Sequence, residues 1–371
     1  MKCPIIVITV AAFACTTSAF AAVPKKPAKH TTPNAVKGQG QLAGLNGQFG
    51  TVYSLKAGFN FSLVSARYDI ASSVPPSGIY PGSDKKLIVI DFALKNSSPS
   101  DNWFGSLGLF TVVDQNGQLY QMGDADVVLK SQGVSTNPSL RPGQGIGQSA
   151  SDPLEAVIEI PSEARIVKIM LNRPRLNSSD DTIRYYVAGA TKAEAGENGD
   201  PKNVITPLPA EVRDPSDASG ATALAEGKGT IGKALMSRFM QITVDSVAFA
   251  PDGTTFNGSG PEDGKKFAVA TVTVSAPVGA NGPKLYSPFD WTAGNDSALA
   301  RLVDTDGEKY DPAGTRKAKR DEAIADGTSV AAGESYTYRI YWNVPKDVTL
   351  KKLVVSNSRG RQWAFDVSDV K

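Results

Sequence analysis

Lys85–Phe92 (KKLIVIDF) and the following Val112–Tyr120 (VVDQNGQLY) decide the fold, because the same pair of segments occurs twice in the chain. Lys265–Val272 reads KKFAVATV, and Leu302–Tyr310 reads LVDTDGEKY. A repeated unit of more than about 100 residues is too long for a solenoid repeat and has the size of a complete domain. The sequence therefore predicts two similar domains in tandem.

The periodicity around these segments is that of β-strands. Phe59, Phe61 and Leu63 alternate with other residues, as in a strand with one buried face. Leu87–Leu94 is almost continuously apolar, which is typical of a central strand. The other predicted strands are 107–113, 118–122, 154–161, 166–171 and 183–187 in the first unit, and 240–247, 267–274, 336–342, 348–355 and 362–367 in the second. About seven short strands with turns between them indicate an all-β, antiparallel β-sandwich in each unit.

The turns inside the repeated segments are candidate sites. Residues 114–117 (DQNG) and 304–307 (DTDG) are predicted hairpin turns, because Asn and Gly tolerate positive φ angles. Asp304, Asp306 and Glu308 also resemble the opening of a calcium-binding loop. Such a loop closes with a Glu at its twelfth position, where this turn has Thr. The hairpin interpretation is favoured, and weak calcium binding at the second turn is the alternative.

The N-terminus predicts export from the cytoplasm. Lys2 is followed by the mostly apolar Pro4–Phe13, and Ala19–Ala22 resembles a signal-peptidase site, so residues 1–21 are predicted to be a signal peptide. The alternatives are a membrane anchor, for which the apolar run is too short, and a lipoprotein attached through Cys15. The expected location is secreted, periplasmic or at the cell surface.

Composition argues against several classes of function. Cys3 and Cys15 both lie in the predicted signal peptide, so the mature chain has no disulfide, zinc thiolate or thiol nucleophile. The formal net charge is +2 with no basic stripe, which argues against nucleic-acid binding. The single histidine, His30, precedes the predicted domains, so they lack a Ser-His-Asp triad. We therefore expect no enzymatic activity and no cofactor.

The predicted domains are residues 49–189 and 233–371. Residues 22–48 are rich in Pro, Lys, Gly and Gln and are predicted to be a flexible lead-in. Residues 190–232 are rich in Ala, Gly, Asp and Pro and are predicted to be a linker. Within it, Asn203–Ile205 could add an edge strand and Ala221–Glu226 could form a helical turn.

Gly227–Ala234 (GKGTIGKA) nearly matches a phosphate-binding loop. Ala replaces the Ser or Thr that would hold magnesium, and no predicted strand precedes the segment. A chance match in a Gly-rich linker is the favoured interpretation.

The order of these motifs resembles a secreted bacterial immunoglobulin-like family that includes the mycobacterial immunoprotective extracellular antigens. The motifs are the Lys-Lys-apolar strand, the Val-Asp-x-[Asn/Asp]-Gly-x-x-Tyr turn, the Pro-Gly or Ala-Gly turn, the strand ending in Val/Ile-Pro and the final aromatic strand. The resemblance covers residues 53–187 and 234–367. It implies two tandem immunoglobulin-like antiparallel β-sandwiches without a disulfide, and it specifies hardly anything about biochemical function.

Aromatic residues are the remaining candidates for binding. They follow the central strand of each unit and comprise Trp103, Phe104, Tyr286, Phe289 and Trp291. In a sandwich such residues usually belong to the core, whereas exposed ones would suit a protein partner or a sugar.

The expected function is that of a non-enzymatic envelope or extracellular protein, acting through a protein partner or self-association. The alternatives are an accessory or inhibitor domain for extracellular hydrolases and a carbohydrate-binding module.

Overall fold

The structure is a computed structural model of the chain. The described residues are 44–70, 81–104, 109–121, 127–129, 139–147, 154–172, 182–237, 240–275, 285–286, 300–318, 329–330, 333–356 and 361–370. The predicted signal peptide, most of the predicted lead-in, and Phe289 and Trp291 lie outside them. We name residues 44–187 the N-terminal half, residues 188–225 the connector and residues 226–370 the C-terminal half.

The N-terminal half consists of two large sheets and a two-stranded sheet. Its strands are β1 (Gly44–Asn46), β2 (Tyr53–Leu55), β3 (Phe59–Asp69), β4 (Lys85–Asn96), β5 (Asn102–Trp103), β6 (Phe110–Asp114), β7 (Leu119–Gln121), β8 (Val127–Leu129), β9 (Ser139–Leu140), β10 (Gly145–Ile146), β11 (Leu154–Pro161), β12 (Ile166–Leu171) and β13 (Thr182–Tyr186). The connector contributes α1 (Lys192–Ala195) and β14 (Ile205–Thr206). One large sheet has the order β1-β13-β12-β6-β7, and the other has the order β14-β3-β4-β11-β8, with β2 on β3 and β10 on β4. The two-stranded sheet is β5-β9.

The apolar faces of the two large sheets form the core. Phe61 of β3, Phe92 of β4 and Phe110 of β6 are fully buried, and their ring centroids lie 5.4 to 6.1 Å apart. Since β6 belongs to one sheet and β3 and β4 to the other, this contact joins the sheets face to face as a sandwich.

The C-terminal half is built in the same order. Its strands are β15 (Glu226–Gly229), β16 (Ala234–Ser237), β17 (Met240–Phe249), β18 (Lys265–Ser275), β19 (Leu285–Tyr286), β20 (Ala300–Asp304), β21 (Lys309–Tyr310), β22 (Gly314–Lys317), β23 (Ser329–Val330), β24 (Ser335–Pro345), β25 (Leu350–Ser356) and β26 (Gln362–Asp366). The sheets have the orders β15-β26-β25-β20-β21 and β16-β17-β18-β24-β22.

Even the irregularities recur between the halves. The register between the two long strands shifts at Leu63/Ser65 in the N-terminal half and at Val244/Ser246 in the C-terminal half. The prediction of an all-β fold of sandwiches is confirmed. The sheets are antiparallel except at three edge pairs, where β1 pairs in parallel with β13, β15 with β26, and β14 with β3.

The connector is ordered and packed. Leu208, Val212, Ala221 and Ala223 are buried in one contiguous apolar cluster that includes residues of both halves. The predicted edge strand is present as β14, whereas the predicted helical turn at 221–226 is wrong. Ala223 instead forms a β-bridge with Arg213, and Glu226 already begins β15. Four buried side chains are enough to hold a segment that composition alone indicates to be a linker.

Two parallel edge strands lie where the sequence predicts flexible segments. Residues 44–48 were expected to be lead-in, but Leu45 of β1 pairs with Ile183 of the last strand of that half. Gly227 of β15 likewise pairs with Trp363. The helix in the described part of the chain, α1, has four residues, so it is far too short to cross a bilayer.

Candidate functional site

Trp103 is an exposed aromatic side chain on a firmly held backbone. It retains 50% of its accessible surface, whereas Phe104 retains 1%. The Phe104 ring packs edge-on against Phe59, with centroids 5.3 Å apart, and also lies 6.5 Å from the Phe92 ring. Successive side chains of an extended chain point to opposite sides. The two neighbouring candidate residues therefore lie in different environments, Phe104 in the core and Trp103 at the surface.

Hydrogen bonds on either side fix the backbone at Trp103. Asn102 pairs with Leu140 and Trp103 with Ser139 in a two-stranded sheet. The Asn102 side-chain amide donates to the carbonyl of Ala57 at 2.8 Å. Because the buried Phe104 follows directly, Trp103 is presented by an anchored segment.

The C-terminal half repeats this backbone arrangement. Tyr286 pairs with Ser329 in the sheet of β19 and β23, as Trp103 pairs with Ser139 in the sheet of β5 and β9. Phe289 and Trp291 lie outside the described residues.

The second candidate is the turn that begins at Asp304, whose side-chain carboxylate holds the turn closed through hydrogen bonds. Its Oδ1 accepts the amides of Asp306 and Glu308 at 3.0 and 2.9 Å. Its Oδ2 accepts the hydroxyl of Tyr310 at 2.7 Å. Asp114 makes the same contacts in the other half, with its own turn amides and with Tyr120 at 3.0 Å. The carboxylate thus closes the hairpin from which the predicted calcium site would be built.

Electrostatics at this turn follow from the same contacts. The pKa of Asp304 lies below its usual range, mainly because Tyr310 donates to it, with burial acting in the opposite direction. Burial and the neighbouring Asp304 raise the pKa of Tyr310 to about 12. Within the described ranges, no three His, Cys, Asp or Glu side chains converge as metal ligands. The structure does not gather Asp304, Asp306 and Glu308 into a calcium site.

A buried ion network lies on the β3-β4-β11 sheet of the N-terminal half. Arg67 donates to both oxygens of Asp91, at 3.0 and 2.9 Å, and to Glu155 at 2.7 Å. Burial alone would lower the pKa of Arg67, but Glu155 and Asp91 outweigh that effect and raise it. The positions that correspond to Asp91 and Glu155 by strand register are Thr271 and Arg339. The network therefore belongs to one half only, and each acid is engaged by the arginine.

A cleft of about 630 Å³ lies beside the β17–β18 connection. Side chains that line it include Phe256, Glu262, Lys265, Tyr310, Asp311 and Asn343. Glu262 accepts Lys265 Nζ at 2.6 Å, and Asp311 accepts Arg301 Nε at 2.8 Å. Both carboxylates are therefore engaged in ion pairs at the exposed rim of the cleft.

The sequence did not predict that two basic residues are buried. Lys86 and Arg361 are both fully buried. Lys86 alternates in β4 with apolar residues of the core side, and this alternation is the signal that could have indicated its burial. Their contacts lie at the junction of the halves.

No protein-family model matches the chain, and no curated protein matches it. Among solved structures, an uncharacterised β-sandwich protein from Clostridium difficile 630 is 16% identical, with a TM-score of 0.28, over 38% of this chain and 95% of its own. The secreted protein MPT63 from Mycobacterium tuberculosis is also 16% identical, with a TM-score of 0.27 and the same coverage. The fold rests on the sheets described above, and membership of the immunoglobulin-like family stays a prediction.

Proposed function

We propose that the protein is an exported, non-enzymatic protein of the cell envelope or extracellular space that binds another protein through the surface around Trp103. The observation that carries this proposal is a tryptophan that is half exposed although its neighbours are anchored. Tryptophan is enriched among residues that dominate binding energy, and a preorganised residue loses little entropy on binding. The partner is a different protein or a second copy of this chain.

The test is the variant Trp103→Ala in the full chain. Because half of the side chain is already in water, the thermal unfolding midpoint should change by no more than about 2 °C. A photo-cross-linking residue placed at position 103 should give one discrete adduct in envelope extracts, and the unlabelled wild-type protein should compete for it. The unlabelled Trp103→Ala protein should fail to compete.

Leu119 provides a matched control, since it is a comparably exposed apolar side chain on an edge strand. The unlabelled Leu119→Ala protein should compete as well as wild type. An adduct the size of a dimer identifies self-association. Equal competition by Trp103→Ala and wild type would exclude this surface as the binding site, and specific retention on a glycan array would favour carbohydrate binding.

A further inference from the structure

The connector is held between the halves by two buried basic side chains. Lys86 extends from β4 of the N-terminal half, and its Nζ donates to the carbonyls of Ser162, at 3.0 Å, and Ala221. Ser162 follows β11, whereas Ala221 belongs to the connector. The amide of Ala223 donates to the same Ser162 carbonyl at 2.9 Å. Lys86 therefore attaches the connector to the N-terminal half.

Arg361 makes the corresponding attachment from the C-terminal half. It lies just before β26, and its guanidinium donates to the carbonyl of Leu224 in the connector at 2.5 Å. It also donates to the carbonyl of Gly82, just before β4, at 3.2 Å, and to that of Lys85, the first residue of β4. A single side chain thus joins the C-terminal half, the connector and the N-terminal half.

The C-terminal half contains a natural comparison for Lys86. Lys266 holds the corresponding position in β18, and its Nζ lies 3.4 Å from the centroid of the Phe249 ring. Lys86 lies 4.5 Å from the Tyr68 ring in the same relation. Lys266 is only half-buried, whereas Lys86 is covered completely and donates to the connector. The connector accounts for the difference between two otherwise equivalent lysines.

We propose that the connector couples the two halves so that they unfold as one cooperative unit. Lys86 and Arg361 hold the connector to the N-terminal and the C-terminal half, respectively. Separating the halves would break the hydrogen bonds of Arg361 to the connector and to the N-terminal half at the same time and replace them with bonds to water. The apolar side chains of the connector lie in the same core cluster as both halves and add to this coupling.

Calorimetry of the wild-type chain is the first test. One unfolding transition is expected, with a calorimetric enthalpy equal to the van't Hoff enthalpy. Two resolved transitions would overturn the proposal. This measurement needs no variant and so does not depend on whether any substitution folds.

Variants then distinguish the coupling of the halves through the connector from a general loss of stability. Lys86→Met and Arg361→Met keep much of the apolar stem and remove the donors, and each should lower the unfolding midpoint by about 5 °C or more. Lys266→Met is the matched control and should lower it by less than about 2 °C. Trypsin should cleave after Arg213 at least about tenfold faster in the first two variants, because opening exposes the connector.

A conservative replacement covers the case in which Arg361→Met does not fold. Arg361→Lys keeps the charge but lacks the planar fork that reaches several carbonyls, so it should give an intermediate midpoint and intermediate cleavage. If Lys86→Met and Lys266→Met lose the same stability and are cleaved at the same rate, the connector is an ordinary linker and the proposal is wrong.

Discussion

A single carboxylate closes the central hairpin of each half. Asp304 accepts two amides of its own turn and the hydroxyl of Tyr310, which lies on the returning strand. The Asp and Gly of the turn are recognisable from sequence, because their backbone preferences are local. The role of the tyrosine is not recognisable from sequence, because its hydroxyl reaches the carboxylate only once the hairpin has formed.

The tyrosine hydroxyl gives the first prediction at this scale. Tyr310→Phe should lower the free energy of unfolding by about 1.5 to 3 kcal/mol at pH 7, the usual contribution of a hydrogen bond to a charged group. The pKa of Asp304 is lowered in the folded state, so its contribution is present above about pH 4 and is lost as pH falls through the folded value. Urea unfolding at pH 7 and pH 3 should show the deficit shrinking at the lower pH.

Tyr336→Phe is the control for this prediction. Its hydroxyl donates to Glu334 at 3.0 Å, but this pair is exposed and lies outside the turn. It should cost less than about 0.5 kcal/mol. Tyr120→Phe, in the matching turn, should reproduce the loss of Tyr310→Phe. Equal losses in the free energy of unfolding for Tyr310→Phe and Tyr336→Phe at pH 7 would show that the hydroxyl does not stabilise the turn.

At the scale of the element, each half begins with a short strand that packs closely against the last strand of that half. This close packing requires a glycine, which directly follows β1 and is the last residue of β15. A Cβ added at Gly47 would come within 2.5 Å of the Tyr185 ring, and one at Gly229 within 2.6 Å of the Phe365 ring. Three residues later, Gly50 and Gly232 adopt φ of 76° and 79°. The pattern Gly-x-x-Gly therefore places a parallel strand against the last strand of its half and turns the chain into the opening strand.

This element explains what sequence patterns could and could not indicate. Long strands such as β4 and β18 were predictable, because apolar runs and alternation extend over many residues. β1 and β15 have three and four residues and are rich in Gly, so they carry no readable period. The near-match to a phosphate-binding loop at 227–234 is this structural turn. Its recurrence at 47–50 is the sequence signal that would have identified it.

Gly229→Ala tests the close approach directly. The new methyl group would overlap the ring of Phe365, which is fully buried, so the free energy of unfolding should fall by about 1 to 3 kcal/mol. Gly260→Ala is the control, because nothing lies within 4 Å of its added Cβ, and its effect should stay below about 0.5 kcal/mol. Chemical denaturation compares the two.

A double variant strengthens this test. Phe365→Leu removes part of the ring, so Gly229→Ala should cost less in that background than in the wild type, with a coupling of about 0.5 kcal/mol or more. Additive losses would mean that the methyl group and the ring do not meet.

At the scale of the whole molecule, the connector was the segment that sequence patterns described least well. Few of its residues are large and apolar, but Leu208 and Val212 are buried and its carbonyls receive Lys86 and Arg361. Backbone acceptors leave no trace in a sequence, and their donors lie far along the chain. Lys85 and Lys86 are identical neighbours, yet one is exposed and the other is enclosed by the connector.

Enclosure of Lys86 predicts a pH dependence of the stability of the whole unit. Burial lowers the pKa of Lys86 to about 7, against the opposing attraction of Asp217 and Glu163. A neutral amine still has two N–H donors for its two carbonyl acceptors. Between about pH 7 and the usual pKa near 10.4, the unfolded chain holds a proton that the folded chain lacks. The free energy of unfolding should therefore rise with pH in this window, by at most about 1.4 kcal/mol per unit.

Urea unfolding at pH 7, 8 and 9 measures this rise. Tyrosine ionisation lies mostly above the range. Lys86→Met should reduce the slope and leave the contribution of Lys168, whose pKa is also lowered, by burial and by Arg184. Lys266→Met should keep the wild-type slope, because Lys266 is only half-buried. If wild type and Lys86→Met show the same slope, Lys86 stays charged at the junction, and its attachment of the connector does not depend on pH in this range.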